Sequence, residues 1–157
     1  MKRFAKAISG VTLLEIMLVL VIAGMIIVMS VRYYQSANAS NQANIVLSQI
    51  QSIIAAADSL AQASGSYKGA NLGDTTLAPL LPNQALTTPW GSTIAISEAD
   101  ETTYKVSIPN MPVGVCPIVI SQLKANNHFS VTTDTCSTSG PTDFSYTYSS
   151  SGYGKKS

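Results

Sequence analysis

The sequence has few of the side chains that carry catalytic or metal-binding chemistry. Charged residues make up 11% of the chain, there are two cysteines, and His128 is the single histidine. No acid or nucleophile stands in an evident partnership with His128, and Asp100 and Glu101 adjoin in a predicted turn, which is typical of a solvated pair. Glycine-rich phosphate loops, nucleophile elbows and metal-ligand spacings are also missing. The sequence therefore predicts that the chain is not an enzyme and binds no cofactor and no metal.

Basic patches interleaved with aromatic residues are missing as well, so we expect no nucleic-acid partner. The 9 basic and 8 acidic residues nearly cancel, but they are unevenly distributed. Lys2, Arg3, Lys6 and Arg32 lie at or before position 32, whereas five lysines face seven carboxylates beyond it. Because basic residues beside an apolar segment tend to stay in the cytoplasm, this distribution predicts a cytoplasmic amino terminus and an exported remainder.

Charged residues and proline are both absent from Ile16 to Val31. This run predicts an apolar helix, with Gly24 as its weakest point. An ordinary secretory signal has its small-residue cleavage site after the apolar run, whereas Gly10 precedes it. Cleavage after Gly10 would remove the basic leader, residues 1–10, and would keep the apolar helix in the product.

Glu15 places a carboxylate at the start of this apolar helix. A carboxylate near the hydrocarbon of a bilayer costs roughly 2.5 kcal/mol or more unless it is paired, neutralised or within reach of the interface. Cleavage after Gly10 would create an ammonium group on Val11, four residues away. Close packing of copies could then pair the amine of one copy with the Glu15 carboxylate of the next.

The segment ISGVTLLEI, residues 8–16, resembles the class III leader and cleavage site of type IV pilins and of the related pseudopilins of type II secretion. The resemblance implies that a prepilin peptidase cuts after Gly10 and N-methylates Val11, and that Glu15 becomes the fifth mature residue and acts in assembly. Val11 in place of an initial phenylalanine is most similar to the type IVb pilins.

The same resemblance implies the partners and the location of the chain. The precursor is expected in the bacterial inner membrane, in contact with lipid and with its head in the periplasm. There it would meet the prepilin peptidase, the inner-membrane assembly machinery and other, minor pilins. After assembly it would pack against copies of itself in a helical, extracellular filament.

Cys116 and Cys136 lie in the part of the chain that is predicted to be exported. In an oxidising periplasm such a pair favours a disulfide, although a pair of buried thiols is the alternative. One histidine supplies too few further ligands for a metal site. The pair also matches the disulfide that pilins carry near the carboxy terminus.

The apolar run is predicted to belong to one long helix that ends before Gly65. Residues 11–34 would form its transmembrane or filament-core half, and residues 35–64 its amphipathic half. In that second half apolar residues recur at steps of three and four, which predicts one buried face. These residues are Val46, Ile50, Ile53, Ile54, Ala57 and Leu60 or Ala61.

Residues 65–157 are predicted to form the globular head, with a long connecting loop over 70–90 that Leu77, Leu80 and Leu81 could tuck against the core. Strands are expected over 92–97, 103–108, 128–133 and 144–148, followed by a flexible end from Ser149. Residues 115–123 fit a helix, because Pro117 suits a first turn, or a strand. The expected fold class is α+β, a long N-terminal helix packed on a small antiparallel sheet, which is the type IV pilin fold.

Three hypotheses about function remain open. The first is a structural subunit of a type IVb-like pilus for adhesion, aggregation, conjugation or motility. The second is a minor pilin or a pseudopilin. The third is a secreted or anchored binding protein with a conventional signal-peptidase site at Ala37-Asn38-Ala39, although Arg32-Tyr33-Tyr34 separates the apolar run from that site. This basic and aromatic trio predicts an anchor at the membrane interface or a contact between subunits.

Overall fold

We analysed a computed structural model that describes residues 12–82, 85–97 and 99–152. The predicted cleavage and methylation sites, Gly10 and Val11, lie outside these residues. The chain divides into two compact units, residues 1–37 and 38–157. The first helix, α1 (Leu13–Ser64), contributes to both units.

The described part of the first unit consists of the apolar segment of α1. Its large apolar side chains between Leu13 and Val31 are all at least 50% exposed. Within the described residues, α1 is the one helix that is long and apolar enough to cross a membrane, judged by length and composition. None of its most apolar stretch is buried, which distinguishes it from the core helix of a soluble domain.

In the second unit, the amphipathic segment of α1 packs against a sheet. Its buried side chains recur at helical spacing, as predicted, and they are Ala43, Val46, Ile50, Ile53, Ala56 and Ala57. Ile54, Leu60 and Ala61 lie at the margin of this face and are partly buried. The α+β fold with a long helix on a small antiparallel sheet is therefore confirmed.

The sheet contains four antiparallel strands in the order β1-β2-β4-β3. They are β1 (Ala95–Ser97), β2 (Thr103–Met111), β3 (Phe129–Val131) and β4 (Thr142–Ser149). Alternate side chains of the two central strands face α1 and are buried, because successive residues of a strand point to opposite faces. These are Tyr104, Val106 and Ile108 from β2, and Phe144, Tyr146 and Tyr148 from β4.

The predicted strand ends were less accurate than the strand count. Both edge strands are shorter than expected, since β1 and β3 have three residues each. The central strands are longer, because each pairs on both sides. β4 runs through Ser149, and the N–H of Ser150 donates to the carbonyl of Thr102 at 3.0 Å, so the expectation of a flexible end was wrong for these two residues. The rest of that predicted end, residues 153–157, lies outside the described residues.

The connection from α1 to the sheet is more regular than the predicted loop. Gly65, with φ of 85°, ends α1, and two short helices follow, α2 (Tyr67–Ala70) and α3 (Asp74–Leu77). A 3-10 helix, Ala78–Leu80, comes next. Of the three leucines expected to pack inward, Leu77 is buried and Leu81 is partly buried, but Leu80 is 51% exposed.

The open choice between helix and strand over residues 115–123 is decided in favour of a helix, α4 (Cys116–Lys124). Pro117 lies in its first turn, where its missing N–H breaks no helical hydrogen bond. Val119, Ile120 and Leu123 are buried on one side of the helix, which gives it the spacing of an amphipathic helix rather than of a strand.

Candidate assembly site

Glu15 lies in the first turn of α1. Its backbone N–H donates to the carbonyl of Thr12 at 3.0 Å and to the hydroxyl of Thr12 at 3.3 Å. Thr12 therefore caps the helix, and the pattern Thr-x-x-Glu before an apolar run is the sequence signal for this arrangement. Thr12 was not among the predicted site residues, although this pattern would have indicated it. The cap uses the backbone N–H of Glu15, so the Glu15 carboxylate takes no part in these two hydrogen bonds.

Glu15 and Arg32 are the charged residues in the described part of the first unit, and they lie at the two ends of its apolar surface. Tyr33 and Tyr34 follow Arg32 with 78% and 72% of their surface exposed. The first unit thus offers an apolar helix with one carboxylate near its start and a basic, aromatic group near its end. Such a surface can insert in a bilayer or pack against other apolar helices.

The structure joins Cys116 and Cys136 in a disulfide, with 5.9 Å between their Cα atoms. Cys116 is fully buried at the start of α4, and Cys136 belongs to the loop between β3 and β4. Lys124, at the other end of α4, forms an ion pair with Asp134 of the same loop, with Nζ and Oδ1 2.8 Å apart. Because both of these charged side chains are at least half exposed, the disulfide is the stronger of the two links.

A cluster of tyrosines fills the space between α1, α2 and the sheet. The hydroxyl of Tyr67 donates to Asp58 Oδ1 at 2.5 Å, and its ring meets that of Tyr104 edge-on with centroids 5.0 Å apart. Burial raises the pKa of Tyr67, Tyr104, Tyr146 and Tyr148 above the ordinary tyrosine value. These phenols stay neutral at physiological pH and act as packing groups.

His128 has a structural role at the end of β4. Its Nδ1 lies 2.8 Å from the carbonyl oxygen of Ser149, so that nitrogen carries the proton, and its ring stacks on Tyr148. The carbonyls of Asp100 and Glu101 accept the backbone N–H groups of Lys68 and Tyr67. The structure therefore does not bring His128, Asp100 and Glu101 together in one candidate catalytic site. No group of three or more metal-ligating side chains occurs within the described residues.

Two of the open grooves beside the amphipathic segment of α1 lie around its middle. One, of about 640 Å³, lies between α1 and the segment that contains Pro82 and Pro89. The other, of about 460 Å³, lies between α1, α4 and β3. Among the residues that the structure describes, no aspartate, glutamate, lysine or arginine lines either groove. Sequence periodicity could not reveal them, because each is formed by elements that are distant along the chain.

Comparison with known proteins gives one family match. The family model for Bundlin, a type IV pilin family of bundle-forming pilus subunits, matches residues 35–154. This range covers the amphipathic segment of α1 and nearly all of the head, and it does not include Gly10, Val11 or Glu15. No curated protein and no solved structure gives a significant match.

Proposed function

Because the chain belongs to the Bundlin family of type IV pilins, we propose that it is inserted in the inner membrane, processed after Gly10 and polymerised into a surface filament. The family establishes a pilin subunit of a type IV pilus. Processing, membrane insertion and the rank of the subunit within the filament are our proposal.

The observation that carries this proposal is the exposed apolar segment of α1 in a chain whose head has the pilin fold. Such a surface is costly in water, since burying apolar area gains about 25 cal/mol per Å². It therefore needs either a bilayer or other apolar helices. The basic leader favours the bilayer first, and loss of the leader would allow copies to pack together afterwards.

Removal of the leader gives the Glu15 carboxylate a chemical partner. The new amine on Val11 would be mostly positive at neutral pH, since α-amino groups have a pKa of about 7.7. Pairing this amine with Glu15 of a neighbouring copy offsets the cost of bringing both charges into an apolar core. Methylation of the amine keeps its charge and is compatible with this pair.

The processing step is tested by mass spectrometry of the amino terminus of the mature protein. We expect a product that begins at Val11 and carries one added methyl group. Gly10→Leu should leave the full precursor uncut, whereas the neighbouring substitution Ser9→Ala should not. A product that begins at Ser40 would show cleavage after Ala39 and would contradict the proposal.

The abundance of this chain in surface filaments distinguishes a major pilin from a minor pilin or a pseudopilin. Sheared surface filaments should consist chiefly of this chain if it is the main structural subunit. A trace amount in filaments composed of another pilin would assign it to the minor class. The type IVb subtype stays a prediction from Val11.

A further inference from the structure

We propose that the groove between α1, α4 and β3 receives the exposed Leu80 side chain of a second copy of this chain. The inference rests on the proposed function as a filament subunit, and it names one contact between heads. We call the two surfaces the amide-rimmed groove and the Leu80 projection.

The amide-rimmed groove has an apolar floor and a polar rim that, among the described residues, contains no carboxylate, lysine or arginine. Leu47, Ile54 and Phe129 are partly buried on the floor, and packing against the core holds them in place. The remaining apolar lining consists of Ile50, Leu123, Ala125 and Tyr148, and the rim of Gln51, Gln122, Asn126 and His128. A charged occupant would lose its hydration here without gaining an opposite charge. The groove therefore fits an uncharged apolar group.

The Leu80 projection, Ala78–Leu81, supplies such a group. Leu80 is 51% exposed, more than Ile45 at 41% or Val113 at 39%, the other exposed large apolar side chains described in the second unit. No charged residue occurs between Thr75 and Ser97.

The projection is also held in place before any partner arrives. Buried Leu77 and partly buried Leu81 anchor it on both sides, and Pro79 restricts its backbone. A side chain that is already fixed in its bound position loses little entropy when it docks.

The two surfaces lie on opposite flanks of α1. At 3.6 residues per turn, the α1 residues that line the amide-rimmed groove are about 140° around the helix from those that line the other groove. The latter groove includes Pro82, which follows Leu80 by two residues, so the projection belongs to that flank.

The positions of the projection and the groove on opposite flanks of α1 favour head-to-tail assembly over a symmetric dimer. A projection on one flank and a groove on the other cannot satisfy each other within a symmetric dimer, because a two-fold axis brings the same patch of both subunits together. They join copies head to tail instead, and each added copy presents a new groove. An open chain of this kind is what a filament requires. An anionic lipid surface is a poorer fit, since it attracts lysine and arginine side chains, and neither lines this groove among the described residues.

The test uses the full-length chain in cells that assemble it into filaments. Leu80→Glu should reduce the yield of sheared filaments by about ten-fold or more, because the carboxylate would be buried without a partner. Val113→Glu, which charges an exposed apolar residue outside both surfaces, should change the yield by less than about two-fold. Formation of the Cys116–Cys136 disulfide and protease resistance of the head show that each variant folds.

Two further variants identify the partner surface. Gln51→Lys on the groove rim should restore filaments to the Leu80→Glu chain by supplying the missing charge. A chain with both Leu80→Cys and Gln51→Cys should yield a ladder of disulfide-linked subunits from filaments, whereas either single substitution should yield no linked subunits.

The outcomes separate this inference from the proposed function. If the wild-type chain enters filaments but Leu80→Glu assembles equally well and no ladder forms, the contact is wrong and the pilin function stands. Linked dimers of the single Leu80→Cys variant would indicate a symmetric contact and would also overturn it. Absence of the wild-type chain from filaments would overturn the proposed function and this contact with it.

Discussion

At the scale of single residues, Glu15 combines a local role with an intermolecular one. Its backbone N–H is held by the Thr12 cap, while its carboxylate stands at the start of an exposed apolar surface. The cap contributes about 1 kcal/mol to helix stability and needs no charge on residue 15. The two roles can therefore be separated by substitution.

We predict that Glu15→Ala leaves membrane insertion unchanged or improves it, because the carboxylate is a cost in the bilayer. Filament yield should fall sharply, since the amine on Val11 would lose its partner. Glu15→Gln keeps the polar group but removes the charge, and it should assemble nearly as poorly. Membrane fractionation and the yield of sheared filaments measure the two effects, with Thr12→Ser as a control that retains the cap. Normal yield from Glu15→Ala would refute the pairing.

At the scale of elements, the disulfide joins two parts of the head that differ in polarity and burial. α4 packs its apolar side on the core, whereas the loop that carries Cys136 is polar and largely exposed. The link between Cys116 and Cys136 closes a loop with a sequence separation of 20. Closing such a loop restricts the unfolded chain, and in the folded head the disulfide holds the loop that carries Cys136 against α4.

Replacing both cysteines by alanine should lower the free energy of unfolding by about 3 kcal/mol, from the entropy of the open loop. Urea denaturation of the purified protein in detergent measures this change. Reduction of the wild-type disulfide provides a matched control and should give a similar loss. A change below about 0.5 kcal/mol would mean that α4 and the remaining contacts position the loop without the covalent link.

At the scale of the whole molecule, the stability of the head depends on buried tyrosines that must stay neutral. Burial raises the pKa of Tyr104 and Tyr146 far above the ordinary value of 10.0. The unfolded chain therefore releases these protons at lower pH than the folded head does. The contribution of these neutral tyrosines to the free energy of unfolding is therefore fully present below pH 10 and is lost as the pH rises above 10.

We expect circular dichroism to show cooperative unfolding of the head as the pH rises above about 10, together with the absorbance change of tyrosinate. Tyr146→Phe is the informative variant, because the buried hydroxyl of Tyr146 has no hydrogen-bond partner within the described structure. Removing it should be neutral or stabilising at pH 7 and should make the alkaline loss of stability shallower. Tyr67→Phe should instead destabilise the head at pH 7, because Asp58 loses its donor. An unchanged alkaline profile for Tyr146→Phe would contradict this account.

Sequence alone determined the features that depend on residues close together along the chain. The charge-free run before Arg32 predicted an apolar helix, and Gly65 predicted the end of α1, because each signal acts through its own neighbours. The spacing of Val46, Ile50 and Ile53 predicted which face is buried. A pilin-like fold followed from these patterns together with the leader motif.

Only the tertiary structure decided the features that depend on distant residues. Ile118, Val119 and Ile120 suit a strand as well as a helix, and the core against which α4 packs resolves the choice. β4 lies between β2 and β3, an order that no local pattern contains. Leu77 and Leu81 pack against the core, whereas Leu80 is 51% exposed, and the three leucines look alike in sequence. The amide-rimmed groove exists because three elements meet at one place, and such a meeting is set by packing over the whole head rather than by any single segment.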